Sequence, residues 1–503
     1  MKSHIMELNT SSTLIALLSF LFLFIFLKYV TITKSANRYS HIPTPKTLPL
    51  IGNLHLMLGT DAPHRLFREL AAKHGPLMHL QLGEIHFIIV SSVDLAKQVL
   101  KIHDINFANR PPGVAQDVLA YNMTDVVAAP YGDYWRLLRK ICTLELLSTR
   151  RVQSFRPIRE EENLNLCRYL ASCGGSPANL SEKIHLSSYD VITRAAVGTR
   201  TTGRVMESSV ISEISEVGSG FMTADFYPSV RSLRWITIAP YKIQHIRRKL
   251  DKLFDSIIEE HKSNRDKDAK YEDFVDVLLQ IQKDGSITTD NIKAVLVDVF
   301  SAGTGTSATA TEWAMTELMK NPSTLTKAQE EVRRVFDDKG YVDEDKFEEL
   351  KYLKLIIKET LRFHPPTPLL IPRINTERCE INGYEIPAGT SLIVNAWALG
   401  RDPEYWNDPE KFIPERFEES AVDFKGNDLQ YLPFGSGRRM CPGIIYGLAN
   451  VEFILATLLY HFDWKLPKGM KIDELDVVEA FGSSLKRKNP LLLIPVLKRP
   501  LRA

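Results

Sequence analysis

Phe434-Gly435-Ser436-Gly437-Arg438-Arg439-Met440-Cys441-Pro442-Gly443 decides how this chain is read, and it runs straight into the apolar stretch Ile444–Tyr460. Glycines and arginines crowd a single cysteine just ahead of a predicted helix N-terminus. The positive end of a helix dipole favours an anion, so Cys441 is expected to be held as a thiolate. Backbone N–H groups of the loop can hydrogen-bond the sulfur and tune its donation to a metal. For each of the five cysteines, Cys142, Cys167, Cys173, Cys379 and Cys441, the plain alternative is a small buried hydrophobe.

Upstream of the loop, Asp343–Phe363 reads as a helix that stops at Pro365-Pro366, since proline cannot continue the hydrogen-bond ladder. Glu359 and Arg362 fall three apart on one face and can pair. An exposed pair contributes under about 1 kcal/mol; it gains weight with a third partner, for which Arg416 in Pro414-Glu415-Arg416-Phe417 is the candidate. Thr289 and Asp290 offer N-caps to a longer helix, apolar from Ile292 through Phe300 to Leu318 and ended by Asn321-Pro322. About thirty helical residues rise about 45 Å, enough to cross a domain. The middle of this helix, Ala302-Gly303-Thr304-Gly305-Thr306-Ser307, carries two glycines that each weaken it by roughly 1 kcal/mol relative to alanine. Either a flat ligand approaches the backbone there, within reach of the Thr306 hydroxyl, or the glycines serve a kink or a close helix contact.

Trp135-Arg136-Leu137-Leu138-Arg139-Lys140 sets Trp135 and Arg139 on one helical face. An indole N–H beside a guanidinium suits a carboxylate, although a packed tryptophan with solvent-facing arginines is the commoner arrangement. Strand signals lie at Leu77–Val90 and Cys379–Val394, and Lys262–Asp273 reads as a solvated connector. The fold class is mainly α with minor β. There is no Gly/Ser linker, repeat or low-complexity tract, so residues 54–503 form one domain.

Residues 1–38 read as a membrane anchor. The run Leu14–Leu27 is interrupted only by Ser19 and is prolonged past Lys28 to Thr33, near the about 20 residues that span a bilayer, with Lys28 placed to snorkel. Lys28, Lys34 and Arg38 follow the apolar run and put the rest of the chain in the cytosol. The sequons Asn122-Met-Thr and Asn179-Leu-Ser are therefore expected to stay unglycosylated. Residues 39–53, with Pro43, Pro45 and Pro49, form a stiff non-helical hinge. Lys and Arg number 63 against 61 Asp and Glu, a balance that argues against a nucleic-acid partner. Five cysteines without a Cys-x-x-Cys pair point to a reducing compartment.

The string Phe434–Gly443 fits Phe-x-x-Gly-x-Arg-x-Cys-x-Gly at every fixed position. It resembles the haem-binding loop of the cytochrome P-450 monooxygenases, most closely the microsomal plant group that oxidises specialised metabolites. The other segments follow that family's order along nearly the whole chain. The resemblance implies the P-450 fold behind one transmembrane helix, and haem b (iron protoporphyrin IX) with Cys441 as the axial ligand, whose thiolate favours O–O cleavage. It implies that Trp135, Arg139, Arg373 and Arg439 hold the haem propionates, with Phe434, Gly437 and Gly443 shaping the loop. It makes Glu359, Arg362 and Arg416 a structural brace. Ala302, Gly303 and Thr306 become the oxygen groove, with Thr306 donating to bound dioxygen.

Two departures stand out: the family's Pro-Pro-Gly-Pro reads Ile-Pro-Thr-Pro, and Gly305 replaces the usual Asp or Glu before the threonine. Ordered water, Thr304 or Ser307 is then expected to relay protons for oxygen insertion, chiefly hydroxylation. The alternatives are oxidative cyclisation, desaturation or rearrangement without oxygen insertion, or a haem-binding sensor without enzymatic activity. No flavin or nicotinamide site is discernible, so electrons are expected from a membrane-bound NADPH-cytochrome reductase of the endoplasmic reticulum, docking near Arg136, Lys140 and Arg438. The substrate segments are Arg110–Thr124, Phe221–Val230, Val299–Ala302, Thr367–Ile371 and Ala480–Gly482. Phe300, Leu369, Leu370, Ile371 and Phe481 make the pocket apolar, which suits a lipophilic terpenoid or alkaloid.

Overall fold

The long helix runs Thr289–Lys320, and Thr288 starts it with a capping box in which Thr288 Oγ1 accepts from Asn291 N and the Asn291 side chain accepts from Thr288 N. The cap thus lies one residue before the Thr289 and Asp290 read from the sequence. The helix is buried from Asn291 to Asp298 and again from Ser307 to Met319, so it is the axis of the core. Helices Leu180–Val197 and Ile444–His461 pack against it. The computed structural model describes residues 2–60, 62–198, 210, 213–214, 223–230, 233, 238–263, 272–482 and 484–502.

The predicted helix Asp343–Phe363 is two pieces. Asp343 starts a 3-10 turn, Glu344–Glu349, by accepting from Asp345 N at 3.0 Å, and the α-helix proper is Lys351–Phe363. Leu350 (ψ 67°) breaks them apart. No proline or glycine marks that break, so periodicity ran straight through it.

The strand signals resolve into a separate hairpin, Cys379–Ile381 with Tyr384–Ile386, and a mixed four-stranded sheet. Leu77–Leu82 and Ile85–Val90 form a hairpin with Leu77 opposite Val90; Ser391–Val394 lies parallel to the second strand, with Phe87 opposite Ser391; and Arg373–Ile374 closes the edge, Arg373 opposite Leu392. Pairing with this sheet is what carries Arg373 to Ser436 of the cysteine loop. A separate hairpin joins Glu479–Ala480 to Lys486–Arg487.

The N-terminal helix is Lys2–Asn37. Thr13–Asn37 is its candidate membrane span, with hydropathy 2.4 and only 6% buried, whereas the apolar helix Ile444–His461 is 67% buried and belongs to the core. Lys28 pairs with Glu84 at 2.8 Å. Tyr39 stacks on His79 and His86, and Ser35 Oγ lies 2.8 Å from His86 Nε2. The proline segment is tied to the sheet by His79 N donating to Pro43 O (2.9 Å) and by a Gly52–Leu82 bridge.

Of the connector Lys262–Asp273, the start is helical, since Ile238–Ser263 is one helix, and 264–271 lie outside the described residues. His261 Nε2 meets Asp273 Oδ2 at 2.8 Å while its Nδ1 lies 2.8 Å from Ile257 O. Burial alone would lower the His261 pKa, but the Asp273 bond and charge raise it to about 9. A histidine raised in the folded state stabilises fully below its unfolded pKa of about 6.5 and loses that contribution as pH rises through about 9. Thermal midpoints across that window are expected to fall in the wild type more than in His261→Gln.

Candidate functional site

The cysteine loop is folded by its glycines. Gly435 and Gly437 sit at φ +72° and +71°, where side chains are disfavoured, and Cys441 N donates to Phe434 O at 3.0 Å. A Cβ on Gly437 would lie 2.5 Å from Asp104 Oδ1 and 2.6 Å from Leu100 O. Gly437→Ala is therefore expected to disorder the loop and cut cofactor retention several-fold, read as the haem-to-protein absorbance ratio of purified protein.

Gly443 caps the helix Ile444–His461, and its N–H donates to Cys441 Sγ at 3.4 Å. Contrary to the dipole argument, burial pushes the Cys441 thiol up, with the Gly443 N–H and the Arg139 charge acting the other way. The protein alone thus favours the thiol, and a metal ion held by Cys441 would supply the missing stabilisation of the anion.

Four arginines from distant segments converge beside this loop. Arg139 Nη1 donates to Met440 O, and Arg373 donates to Ser436 O at 2.7 Å and to Asp104 at 3.0 Å. Buried Arg439 donates to Ala108 O (2.7 Å), Val126 O (3.2 Å) and Ala129 O, and its guanidinium lies 4.4 Å over the Trp135 ring. Arg110, also buried, donates to Val127 O (3.1 Å), Ile371 O (2.7 Å) and Pro372 O (3.0 Å). Neither Arg110 nor Arg439 has an ion-pair partner among the described residues. Burial, reinforced by the other arginines, lowers both, Arg439 to about 10. The Trp135 indole N–H is committed to Val126 O at 3.0 Å, so tryptophan orients the segment and the guanidinium over it and does not itself present a free donor. Arg110 was read only as the start of a substrate loop; with no motif around it, its place in the cluster comes from tertiary packing.

Opposite lies the glycine-containing stretch of the long helix. Ala302 is exposed, and Gly303, Gly305 and Thr306 are half-buried, in the middle of an otherwise buried helix. Thr306 Oγ1 donates to Ala302 O at 2.7 Å. The helix runs unbroken from Thr289 to Lys320, and a Cβ at Gly303 would lie 3.1 Å from Ile192 and 3.8 Å from Tyr446 in the cysteine-loop helix. Close helix packing therefore accounts for Gly303. Asp298 accepts from Val126 N (2.9 Å) and Val127 N (3.3 Å). Burial and the neighbouring Asp125 raise its pKa well above the usual carboxylate range.

Glu359, Arg362 and Arg416 form one cluster. Arg362 Nε and Nη2 each donate to Glu359 at 2.7 Å, both side chains are 0% exposed, and Arg416 Nε reaches the same carboxylate at 3.0 Å. Of the predicted pocket residues, Leu370 packs 4.0 Å from where a Gly435 Cβ would be, and Ile371 is exposed beside it. Phe300 is not with them: it is 1% exposed and packs on Phe254 at 6.1 Å. Two residues along a helix turn by about 200°, so position 300 faces away from Ala302. Leu369 is buried against the sheet, and Phe481 packs near His64 and Trp397. Of the segment Phe221–Val230, positions 221–222 lie outside the described residues.

Haem is a flat apolar plate with two carboxylates and an iron that takes a thiolate. The residues present fit it: a cysteine at a helix mouth, more buried guanidinium than carboxylate beside it, and a helix reduced to small side chains at 302–306. The class so defined is a haem-thiolate oxidoreductase. The family model for cytochrome P-450 matches residues 42–494, and the chain belongs to the cytochrome P-450 family. It is 50% identical to salviol synthase of Salvia pomifera over 99% of both chains. It is 48% identical to tabersonine 6,7-epoxidase isoform 1 of Catharanthus roseus, over 94% of this chain and 95% of that one. It is 47% identical to premnaspirodiene oxygenase of Hyoscyamus muticus, over 97% and 99%. A solved structure of a zebra fish cytochrome P-450 with abiraterone superposes with a TM-score of 0.73 at 25% identity, covering 87% of this chain and 100% of that one.

Proposed function

We propose that the chain is a membrane-anchored monooxygenase that inserts oxygen into a lipophilic terpenoid or alkaloid, with electrons from NADPH through a separate flavin-containing reductase. The supporting observation is the buried arginine cluster around the Cys441 loop, which carries more positive charge than its carboxylates neutralise. Haem bound there would supply dioxygen activation. Cys441 would hold the iron, and Arg139, Arg373, Arg439 and Arg110 would take the propionates, already oriented by backbone carbonyls. Gly437 and Gly443 let the loop approach closely, and Phe434 closes it. Ala302 presents only a methyl to the groove, Gly303 lets the long helix pack closely beside it, and the Thr306 hydroxyl, now bonded to Ala302 O, can turn to donate into it. Glu359, Arg362 and Arg416 brace the element behind the site.

Residues 1–38 would anchor the chain in the endoplasmic reticulum, 39–53 form the hinge, and 54–503 make the catalytic domain facing the cytosol. A glycan on exposed Asn122 would contradict that topology. Leu370, Ile371 and Ala302 supply apolar surface beside the cysteine loop, consistent with a lipophilic ligand. Exposed Arg136, Lys140 and Arg438 suit docking of an acidic reductase surface, and Lys140→Glu is expected to slow reduction and weaken its salt dependence in stopped-flow measurements.

The test is co-expression with an NADPH-cytochrome reductase in microsomes and a terpenoid and alkaloid panel under labelled dioxygen. Label in a product supports the reading; NADPH and oxygen consumption without label in any product contradicts it.

A further inference from the structure

Gly305 removes the side chain that would carry protons towards the groove, and three observations show what stands there instead. Beyond its chain neighbours and its own helix backbone, a Cβ built on Gly305 would meet Ser484 Oγ at 3.7 Å and no other described atom within 4 Å. Thr309, one turn on, donates its Oγ1 proton to Ser484 Oγ at 3.3 Å, which leaves the Ser484 proton to be directed towards position 305. The same helix face then continues at four-residue spacing: Trp313 donates to Leu485 O at 2.8 Å and stacks on His364 at 4.0 Å, and Glu317 pairs with His364 Nε2 at 2.9 Å.

That face ends in a buried polar cluster. His364 Nδ1 and Glu479 Oε1 lie 3.9 Å apart, neither with a hydrogen-bond partner among the described residues. The other oxygen of Glu479 meets His64 (3.1 Å) and Arg65 (2.7 Å), whose side chain is 49% exposed. Polar groups thus run from the surface at Arg65 into the cluster, and the Trp313 indole stands between that cluster and the hydroxyls at Gly305. Buried polar atoms of this kind normally recruit ordered water.

We propose that Ser484, replenished by Thr309, is the proton-relay residue that takes the place of a carboxylate at position 305. The inference rests on the monooxygenase reading. Substrate C–H, dioxygen, two electrons from the reductase and two protons give an alcohol and water. In the relay, the Ser484 Oγ–H bond breaks as its proton moves into the groove beside Thr306. The Thr309 Oγ1 proton then passes to Ser484, Thr309 takes a proton from solvent water, and both hydroxyls end unchanged. Thr304 and Ser307 are less suited: Thr304 Oγ1 has no partner among the described residues, and Ser307 faces Gly447.

Cumyl hydroperoxide tests this on the haem-loaded full chain without reductase or native substrate. Heterolytic O–O cleavage gives 2-phenyl-2-propanol, its alkoxide oxygen taking one proton; homolytic cleavage gives the cumyloxyl radical, which splits to acetophenone and a methyl radical. Ser484→Ala is expected to lower the alcohol-to-ketone ratio about tenfold, Ser484→Thr to retain it, and the double variant Gly305→Asp with Ser484→Ala to restore it. The infrared stretch of carbon monoxide bound to the reduced protein is expected to shift in Ser484→Ala, because a donor to the groove is lost. An unchanged ratio overturns the relay, and so does a changed ratio without a shifted band, which would mark a packing effect. Failure of the wild type to bind haem through a thiolate would instead overturn the underlying reading.

Discussion

Glu359→Ala is expected to destabilise the catalytic domain by about 3–5 kcal/mol, the range for removing one partner of a buried ion pair. Arg362 has five N–H donors, and all are matched: two go to Glu359, and the rest to Gly400 O (2.6 Å), Pro409 O (2.9 Å) and Lys411 O (3.0 Å). Glu359 in turn accepts from Ile413 N (2.8 Å) and Arg416 Nε (3.0 Å). Alanine at 359 leaves a guanidinium buried with only carbonyls and frees the segment around Arg416. The expected result is a large drop in denaturant midpoint and little recoverable haem-loaded protein. Arg362→Lys is expected to behave almost as badly, since an ammonium cannot reproduce the planar fork. A midpoint shift of the size seen for exposed pairs would show that the cluster is not a brace.

Cys441→Ser is expected to abolish monooxygenase turnover and reduce haem affinity more than about 100-fold, beyond the 10- to 100-fold typical of groups that only support a ligand. Serine keeps the loop's volume, and the backbone bonds from Cys441 N to Phe434 O and around Gly435 and Gly437 do not depend on sulfur. The variant is therefore expected to keep its helical circular dichroism while losing cofactor. Cys142→Ser and Cys167→Ser probe the opposite case, since both thiols are buried in apolar core; they are expected to affect stability and leave the cofactor spectrum unaltered.

The elements nearest the site were legible in the sequence because their determinants are local. The cysteine loop, the long helix with its small-residue centre and the three-residue spacing of Glu359 and Arg362 need only chain neighbours to be recognised. What was not legible depends on tertiary packing. Arg373 and Arg439 were reached only through the family resemblance, and no local pattern tells Arg110 from a surface arginine. The break at Leu350 has neither proline nor glycine to announce it. Phe300 looked like pocket because it is apolar and near Ala302, yet the helical turn of about 200° over two residues sends it to the core. Ser484 lies far from Gly305 in sequence and meets it only through the hairpin of Glu479–Ala480 and Lys486–Arg487. The Cys441 thiol illustrates a conflict of effects: the helix terminus and Arg139 favour the anion, and desolvation outweighs them.

The most direct test of the central claim is the carbon monoxide difference spectrum of the reduced, full-length protein beside Cys441→Ser. The account predicts the band characteristic of thiolate-ligated haem in the wild type and its loss in the variant. A thiolate-type band that survives in Cys441→Ser, or its absence from wild-type protein that has bound haem, would contradict the assignment of Cys441 as the iron ligand.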